Sequence, residues 1–264
     1  MSNVWFNGAI VEGPLALDAA DRGLTLGDGV FETIAVHGSK VIWLEAHLTR
    51  MASAALELGI GFERAKIEMG ITEVMQHNHF PSASLRITLT RGVVQLRALT
   101  GSGANPNVII SLSQFDAKDG QSITLATATI RRNETAPSSR LKTLSYIDNI
   151  AAAREVAARA DDALMLNTKG NVACTSIGNL FLIRNNQLIT PRFDQGILCG
   201  IARAKLLPEA QEAVVTLADI FAADAVFRTN SLRLVTPVTK LDDKPLGMRS
   251  LDDIKRLILE RTKI

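Results

Sequence analysis

The sequence predicts a mixed α and β protein in two domains, and three observations carry that prediction. Short β-rich runs alternate with helical periodicities along all 264 residues. A hydrophobic share of 47% is enough for a substantial core. A polar, turn-forming stretch, D-A-K-D-G at 116–120, interrupts the pattern near the middle. We therefore place an N-terminal domain over residues 1–115, a linker over 116–122 and a C-terminal domain over 123–264.

The elements follow in order. Asn7-Gly8 supplies the positive φ angles of a tight turn, so residues 4–6 and 9–11 form a hairpin. Gly27-Asp28-Gly29 precedes the strand V-F-E-T-I-A-V, and His37-Gly38 turns the chain back into K-V-I-W-L. Leu44, Leu48, Met51, Ala55 and Leu58 recur at helical spacing, which predicts a helix over 45–58 that Gly59 stops. His47 and Arg50 lie three apart on another face of it. Residues 63–78 make a second, weaker helix, 84–90 and 107–113 are strands, and G-S-G-A-N-P at 101–106 is a loop. The second half alternates. Strands are predicted at 123–130, 163–166, 180–183, 187–189, 225–228 and 232–238, and helices at 148–160, 201–207 and 218–222. Asn185-Asn186 is a turn. A closing helix spans 250–261 with Ser250 as N-cap and Asp252 and Asp253 in its first turn.

Formal net charge is +2 with no basic block or acidic tail, which argues against nucleic acid as a partner. Two cysteines, Cys174 and Cys199, cannot build a disulfide framework and fit a reducing compartment. The start, M-S-N-V-W-F-N-G, has neither a basic region nor a long apolar run. The expectation is a cytoplasmic protein with no signal peptide and no membrane span.

The chemistry concentrates between Arg140 and Arg203. Lys142 stands alone among apolar Leu141 and Leu144 in R-L-K-T-L-S-Y. Apolar surroundings lower a lysine's pKa, and the neutral amine is a nucleophile. Gly196 and Gly200 precede the helix start I-A-R-A-K-L-L, where free backbone N–H groups make a phosphate site. An amine nucleophile with a phosphate cradle suggests pyridoxal 5'-phosphate held as a Schiff base on Lys142.

These segments stand in a recognisable order: D-R-G-L-T-L-G-D-G-V-F-E at 21–32, L-E-A-H-L-T-R at 44–50, R-L-K-T-L-S at 140–145, G-N-V-A-C-T-S-I-G-N-L-F at 170–181 and T-N-S-L-R-L-V-T-P-V at 229–238. Together they resemble the class IV aminotransferases, the fold-type IV pyridoxal-phosphate enzymes. That family includes D-amino-acid and branched-chain aminotransferases and aminodeoxychorismate lyases. The resemblance implies a small α/β sandwich followed by an open α/β barrel, with the cofactor between them, and a homodimer.

The resemblance also implies roles. Lys142 carries the cofactor and, once freed by substrate, moves the Cα proton. Arg50 binds the phosphate, helped by the backbone N–H groups of Ile201 and Ala202 and the hydroxyl of Ser231. Many relatives have threonine where Ala202 stands. Arg97, which with Arg91 flanks a short loop, corresponds to an arginine that grips the substrate carboxylate in some relatives. Asn230 lines the site, and Phe31 occupies a position that is tyrosine in many aminotransferases. Cys174 stands where the family has a glutamate that holds the proton of the pyridine nitrogen. A neutral thiol is a weak donor without charge, so a largely unprotonated pyridine is expected.

The reaction expected first is transfer of an amino group between a small amino acid and a 2-oxo acid. The alternative is a 4-amino-4-deoxychorismate lyase, releasing pyruvate and 4-aminobenzoate. A third reading is a pyridoxal-phosphate-binding protein with little turnover. Other features are read as structural. His77-Asn78-His79 lacks further ligands at metal spacing, so no metal is expected. Gly27-Asp28-Gly29 lacks the helix that a nucleotide loop needs. Glu32 starts a strand and is taken as structural.

Overall fold

Asn7 and Gly8 take φ values of 52° and 119°, and this turn joins β1 (Val4–Phe6) to β2 (Ala9–Val11) as the sequence predicts. The computed structural model describes residues 3–94, 99–100, 105–116 and 121–262. The chain divides into two compact units, residues 1–116 with 141–146, and residues 117–140 with 147–264.

In the first unit, α1 (Arg22–Leu26), β3 (Gly29–His37), β4 (Lys40–Val41), α2 (Leu44–Leu58), α3 (Arg64–His77), β5 (Ser82–Thr90) and β6 (Asn107–Gln114) follow the hairpin. The strands form one antiparallel sheet in the order β2-β1-β6-β5-β3-β4. Alternate residues such as Ile34, Val36, Leu85, Ile87 and Ile110 bury one face under Leu48, Met51 and Ala55 of α2 and Ile67, Ile71 and Val74 of α3. Helix α3 comes so close that a Cβ on Gly70 would lie 2.5 Å from the Trp5 ring. Gly59 ends α2 at φ 64°, its N–H bonding back to the carbonyls of Ala55 and Leu56.

Helix α1 is not anticipated by the sequence. Its five residues include a glycine and a threonine, poor formers both. It exists because the Asp21 carboxylate accepts from the Gly23 N–H at 2.6 Å and Gly27 closes the end at φ 66°.

The second unit contains β7 (Ile123–Thr127), α4 (Pro137–Arg140), α5 (Ile147–Val156), β8 (Asp162–Leu166), β9 (Val172–Thr175), β10 (Asn179–Arg184) and β11 (Gln187–Pro191). After these come α6 (Ile201–Leu206), β12 (Ala210–Ala213), α7 (Leu217–Phe221), β13 (Ala225–Asn230), β14 (Leu234–Leu241), β15 (Lys244–Pro245) and α8 (Asp252–Glu260). The sheet runs β12-β11-β10-β13-β14-β7-β8-β9, with β15 on β14. Strand β9 pairs with β8 and also meets β10, Cys174 opposite Asn179. The strands from β10 to β9 therefore close into a ring of six, sealed at that pair. Phe181 and Phe227 stack across the β10–β13 pairing, ring centroids 5.2 Å apart.

Several boundaries differ from the sequence reading. The strand predicted at 123–130 stops at Thr127, and the helix predicted at 148–160 stops at Val156. Strand β9 is missed because all four of its residues are buried, which removes alternation. Strand β12 is missed because A-Q-E-A favours helix, yet it pairs in parallel with β11. Strand β14 starts at Leu234, since the Asn230 side-chain oxygen accepts from the N–H groups of Leu232 and Arg233 and holds them in a turn. Leu251, not Ser250, occupies the N-cap of α8, although the Ser250 hydroxyl accepts from the Asp252 N–H at 3.2 Å.

Candidate active site

Lys142 is seated by the first unit. Its carbonyl accepts from the Phe31 N–H at 2.9 Å, and the Leu144 N–H donates to the Gly29 carbonyl at 2.9 Å. Thr143 bridges Val30 in antiparallel sense, so this segment extends the edge of β3. A side chain at Gly29 would place Cβ 2.4 Å from the Leu89 carbonyl oxygen and 2.7 Å from Leu144 Cδ1. The glycines of Gly27-Asp28-Gly29 thus serve the close approach of the lysine segment.

The side chain of Lys142 runs over aromatic rings. Its Nζ lies 4.3 Å from the centroid of Phe31 and 5.6 Å from that of Tyr146. Those rings meet edge to face at 5.4 Å. Arg86 from β5 lies over Phe31 at 4.1 Å. Burial of the amine lowers the Lys142 pKa, Arg50 and Arg86 push the same way, Glu32 opposes them, and the result is about 8. A sizeable neutral fraction near neutrality suits a nucleophile.

Arg50 and His47 project from α2 to Glu32 on β3. Arg50 Nε donates to Glu32 Oε1 at 2.7 Å, and Nη2 donates to Oε2 at 2.6 Å. His47 Nδ1 lies 2.7 Å from Oε2. Glu32 and His47 are fully buried. Burial alone would raise the Glu32 pKa, but Arg50 and His47 outweigh it and hold the carboxyl at about 2. Burial lowers the pKa of His47 despite its carboxylate partner. His47 and Arg50 at spacing i, i+3 are visible in the sequence. That they converge on Glu32 is not, and neither Arg86 nor Tyr146 draws attention there.

Arg91 turns out to lock a helix end. It donates to Asp28 through Nε at 2.7 Å, and to the carbonyls of Leu58 and Gly59 at the end of α2. Arg97 lies outside the described residues.

A second set of predicted residues belongs to the second unit. Cys174 sits at the seam of the strand ring, opposite Met165 and Asn179, with 6% of its surface exposed. Burial raises its thiol pKa, Asp162 adds to the rise and Arg132 opposes it, so the group is a neutral thiol. Ile201 and Ala202 open α6, whose N-cap Gly200 gives no side-chain cap. A Cβ on Gly200 would lie 2.0 Å from Asn179 Oδ1, so a side chain there would displace the Asn179 amide, which donates to the Leu198 carbonyl. Ser231 follows Asn230 in the turn after β13. The Asn230 side chain is engaged in that turn. Beside them, the buried Thr229 hydroxyl has no partner among the described residues. His77 and Asn78 are also tied locally, to the carbonyls of Glu73 and Val74. Among the described residues no cluster of three or more His, Cys, Asp or Glu could hold a metal, and no helix is long and apolar enough to cross a membrane.

Residues 29–241 match the family model of amino-transferase class IV. The chain belongs to the class IV aminotransferases. Among curated members it is 26% identical to the D-alanine aminotransferase of Bacillus licheniformis, over 92% of this chain and 90% of that protein. A solved structure of a Legionella pneumophila protein provisionally named 4-amino-4-deoxychorismate lyase is 33% identical, covering 95% of this chain and 96% of that one, with a TM-score of 0.86. The branched-chain aminotransferase of the thermophilic archaeon Thermoproteus uzoniensis, solved with norvaline, is 26% identical, covering 99% of this chain and 93% of that one, with a TM-score of 0.87. The mixed α and β architecture is therefore the fold-type IV fold of the class IV aminotransferases.

Proposed function

We propose that the chain is a pyridoxal-phosphate-dependent aminotransferase that moves an amino group between a small amino acid and a 2-oxo acid. The observation that carries this is Lys142, an amine near pKa 8 among Phe31, Tyr146, Arg50 and Arg86. The residues present fit pyridoxal phosphate. The buried hydroxyls of Thr143 and Thr229 have no partner among the described residues, and α6 starts without a side-chain cap. When bound, the cofactor supplies an electron sink and a carbon that carries the amino group.

The chain's own residues do the rest. Lys142 would anchor the cofactor and, when released, its neutral amine would take the proton from Cα and deliver it to the cofactor carbon that receives the amino group. The Arg50 guanidinium and the N–H groups of Ile201 and Ala202, with the Ser231 hydroxyl, would hold the phosphate. Arg97 takes the substrate carboxylate, Phe31 and Asn230 shape the substrate side, and Cys174 meets the pyridine nitrogen. By the same family resemblance we take the protein to be a cytoplasmic homodimer.

The neutral thiol of Cys174 favours a second reading, 4-amino-4-deoxychorismate lyase. Aromatisation of the product drives that elimination without a strong electron sink. Incubation with an amino-acid panel, followed by assay of pyridoxamine phosphate, is set against pyruvate release from 4-amino-4-deoxychorismate. Pyridoxamine formation without pyruvate supports the aminotransferase, the reverse supports the lyase, and neither product would sink both.

Cys174→Glu sharpens the choice. A carboxylate favours the protonated pyridine, and each 1.4 kcal/mol gained in the transition state is worth about tenfold in rate. Half-transamination by the glutamate variant is expected to be about tenfold faster than wild type, while Cys174→Ser changes little. The larger side chain enters a packed seam, and a loss of roughly 1–3 kcal/mol of stability accompanies it. No acceleration with cofactor still bound would mean either that Cys174 does not contact the ring or that the reaction never relied on a protonated pyridine, and the latter favours the lyase.

A further inference from the structure

Glu32 is a residue that the sequence reading takes as structural. A carboxylate inside the apolar strand V-F-E-T-I-A-V is costly unless its charge is used. Both of its oxygens are engaged, Oε1 by Arg50 Nε and Oε2 by Arg50 Nη2 and His47 Nδ1. Two parallel bonds from one guanidinium to one carboxylate fix the plane of the arginine. The fully buried His47 has no partner for Nε2 among the described residues, so the bond to Glu32 sets its orientation. With its pKa lowered by burial, His47 is a neutral donor and leaves the negative charge on Glu32 in place.

Among the described residues, the charged and titratable groups around Lys142 include Glu32 on β3, His47 and Arg50 on α2, Arg86 on β5 and Tyr146 on its own segment. Arg50 and Arg86 are like charges to a lysine ammonium, and Glu32 is the opposite one. Without it, burial and two guanidinium groups act on the amine unopposed.

We propose that Glu32 is a positioning residue of this site, holding the Arg50 guanidinium in one orientation and supplying the counter-charge of the Lys142 amine. The proposal rests on the reading of Lys142 as the cofactor lysine and of Arg50 as a phosphate ligand. Both Glu32 oxygens are taken up by Arg50 and His47, so its hydrogen-bonding effect passes through those groups. Removing its charge drives Lys142 further towards the neutral form. Shortening it to aspartate keeps the charge and costs the two-point grip on Arg50.

The test uses the full chain freed of cofactor. Labelling of Lys142 by acetic anhydride is followed against pH and located by mass spectrometry, with retention of pyridoxal phosphate measured separately. Wild type should show a midpoint near 8. Glu32→Gln should lower that midpoint by about one pH unit. Glu32→Asp should keep the wild-type midpoint and release pyridoxal phosphate more readily. An unchanged midpoint in Glu32→Gln, with only a lower melting temperature, overturns the proposal and leaves Glu32 a structural residue. If Glu32→Gln fails to fold, Arg50→Met is compared with Glu32→Gln/Arg50→Met, which leaves no unpaired buried charge. A lower midpoint in the double variant supports the proposal, and equal midpoints overturn it. Labelling needs no bound cofactor. A chain whose Lys142 never retains pyridoxal phosphate would refute the proposed function, while the labelling midpoint still decides the counter-charge.

Discussion

Lys142→Ala is expected to abolish covalent retention of pyridoxal phosphate and to lower turnover by about 10²–10⁴-fold or more. The substitution removes both the anchoring amine and the group that moves the Cα proton. Capture of cofactor by wild type should also depend on pH with a definite sign. Below about 8 the amine is mostly ammonium and cannot attack, so the capture rate rises with pH and levels off above about 8. The alanine variant should show no capture at any pH. Its backbone bonds to Phe31 and Gly29 remain, so the segment keeps its place on β3. Borohydride reduction followed by peptide mass mapping checks this. Reduced cofactor found on another lysine would mean that Lys142 is not the anchor.

Asp162→Ala is expected to cost about 3–5 kcal/mol of stability, with a fall in melting temperature on the order of 10 °C. Asp162 opens β8, and Arg228 lies on β13 of the same strand ring. Their 2.7 Å ion pair is almost wholly buried at both ends. Asp162 also accepts from the Ala163 N–H at 2.8 Å and from the Ser176 hydroxyl. Arg228 Nε has no partner among the described residues, so alanine at 162 strands a buried guanidinium. The second variant, Asp162→Ala/Arg228→Met, removes the stranded charge and should recover a large part of the loss. Urea denaturation of the three proteins measures both steps. A loss below about 1 kcal/mol for Asp162→Ala would show that water reaches Arg228.

The locally determined elements are legible in the sequence. Asn7-Gly8, the apolar spacing from Leu44 to Leu58 and the stop at Gly59 each act within a few residues, and the corresponding elements form where predicted. Lys142 is legible as a candidate nucleophile because it is isolated in apolar sequence, whereas Arg50 is singled out by the family resemblance. Elements made by pairing are not. Ala210–Ala213 has helix-forming residues and becomes a strand because β11 offers it an edge. Residues 141–146 follow a helix of the second unit, yet belong to the first, bonded to β3.

By itself the sequence indicated the two kinds of secondary structure, singled out Lys142 as the candidate nucleophile, and through the family resemblance put forward Arg50 and Cys174 as candidate cofactor residues. The first two follow from residue type and short-range spacing. Only the tertiary structure decided what surrounds Lys142 and which side chains share a charge. Phe31, Glu32 and Arg86 come from neighbouring strands, and His47 and Arg50 from a helix packed over them. Strand register and helix packing brought these groups together across gaps of up to about a hundred residues, and electrostatic coupling depends on distance in space.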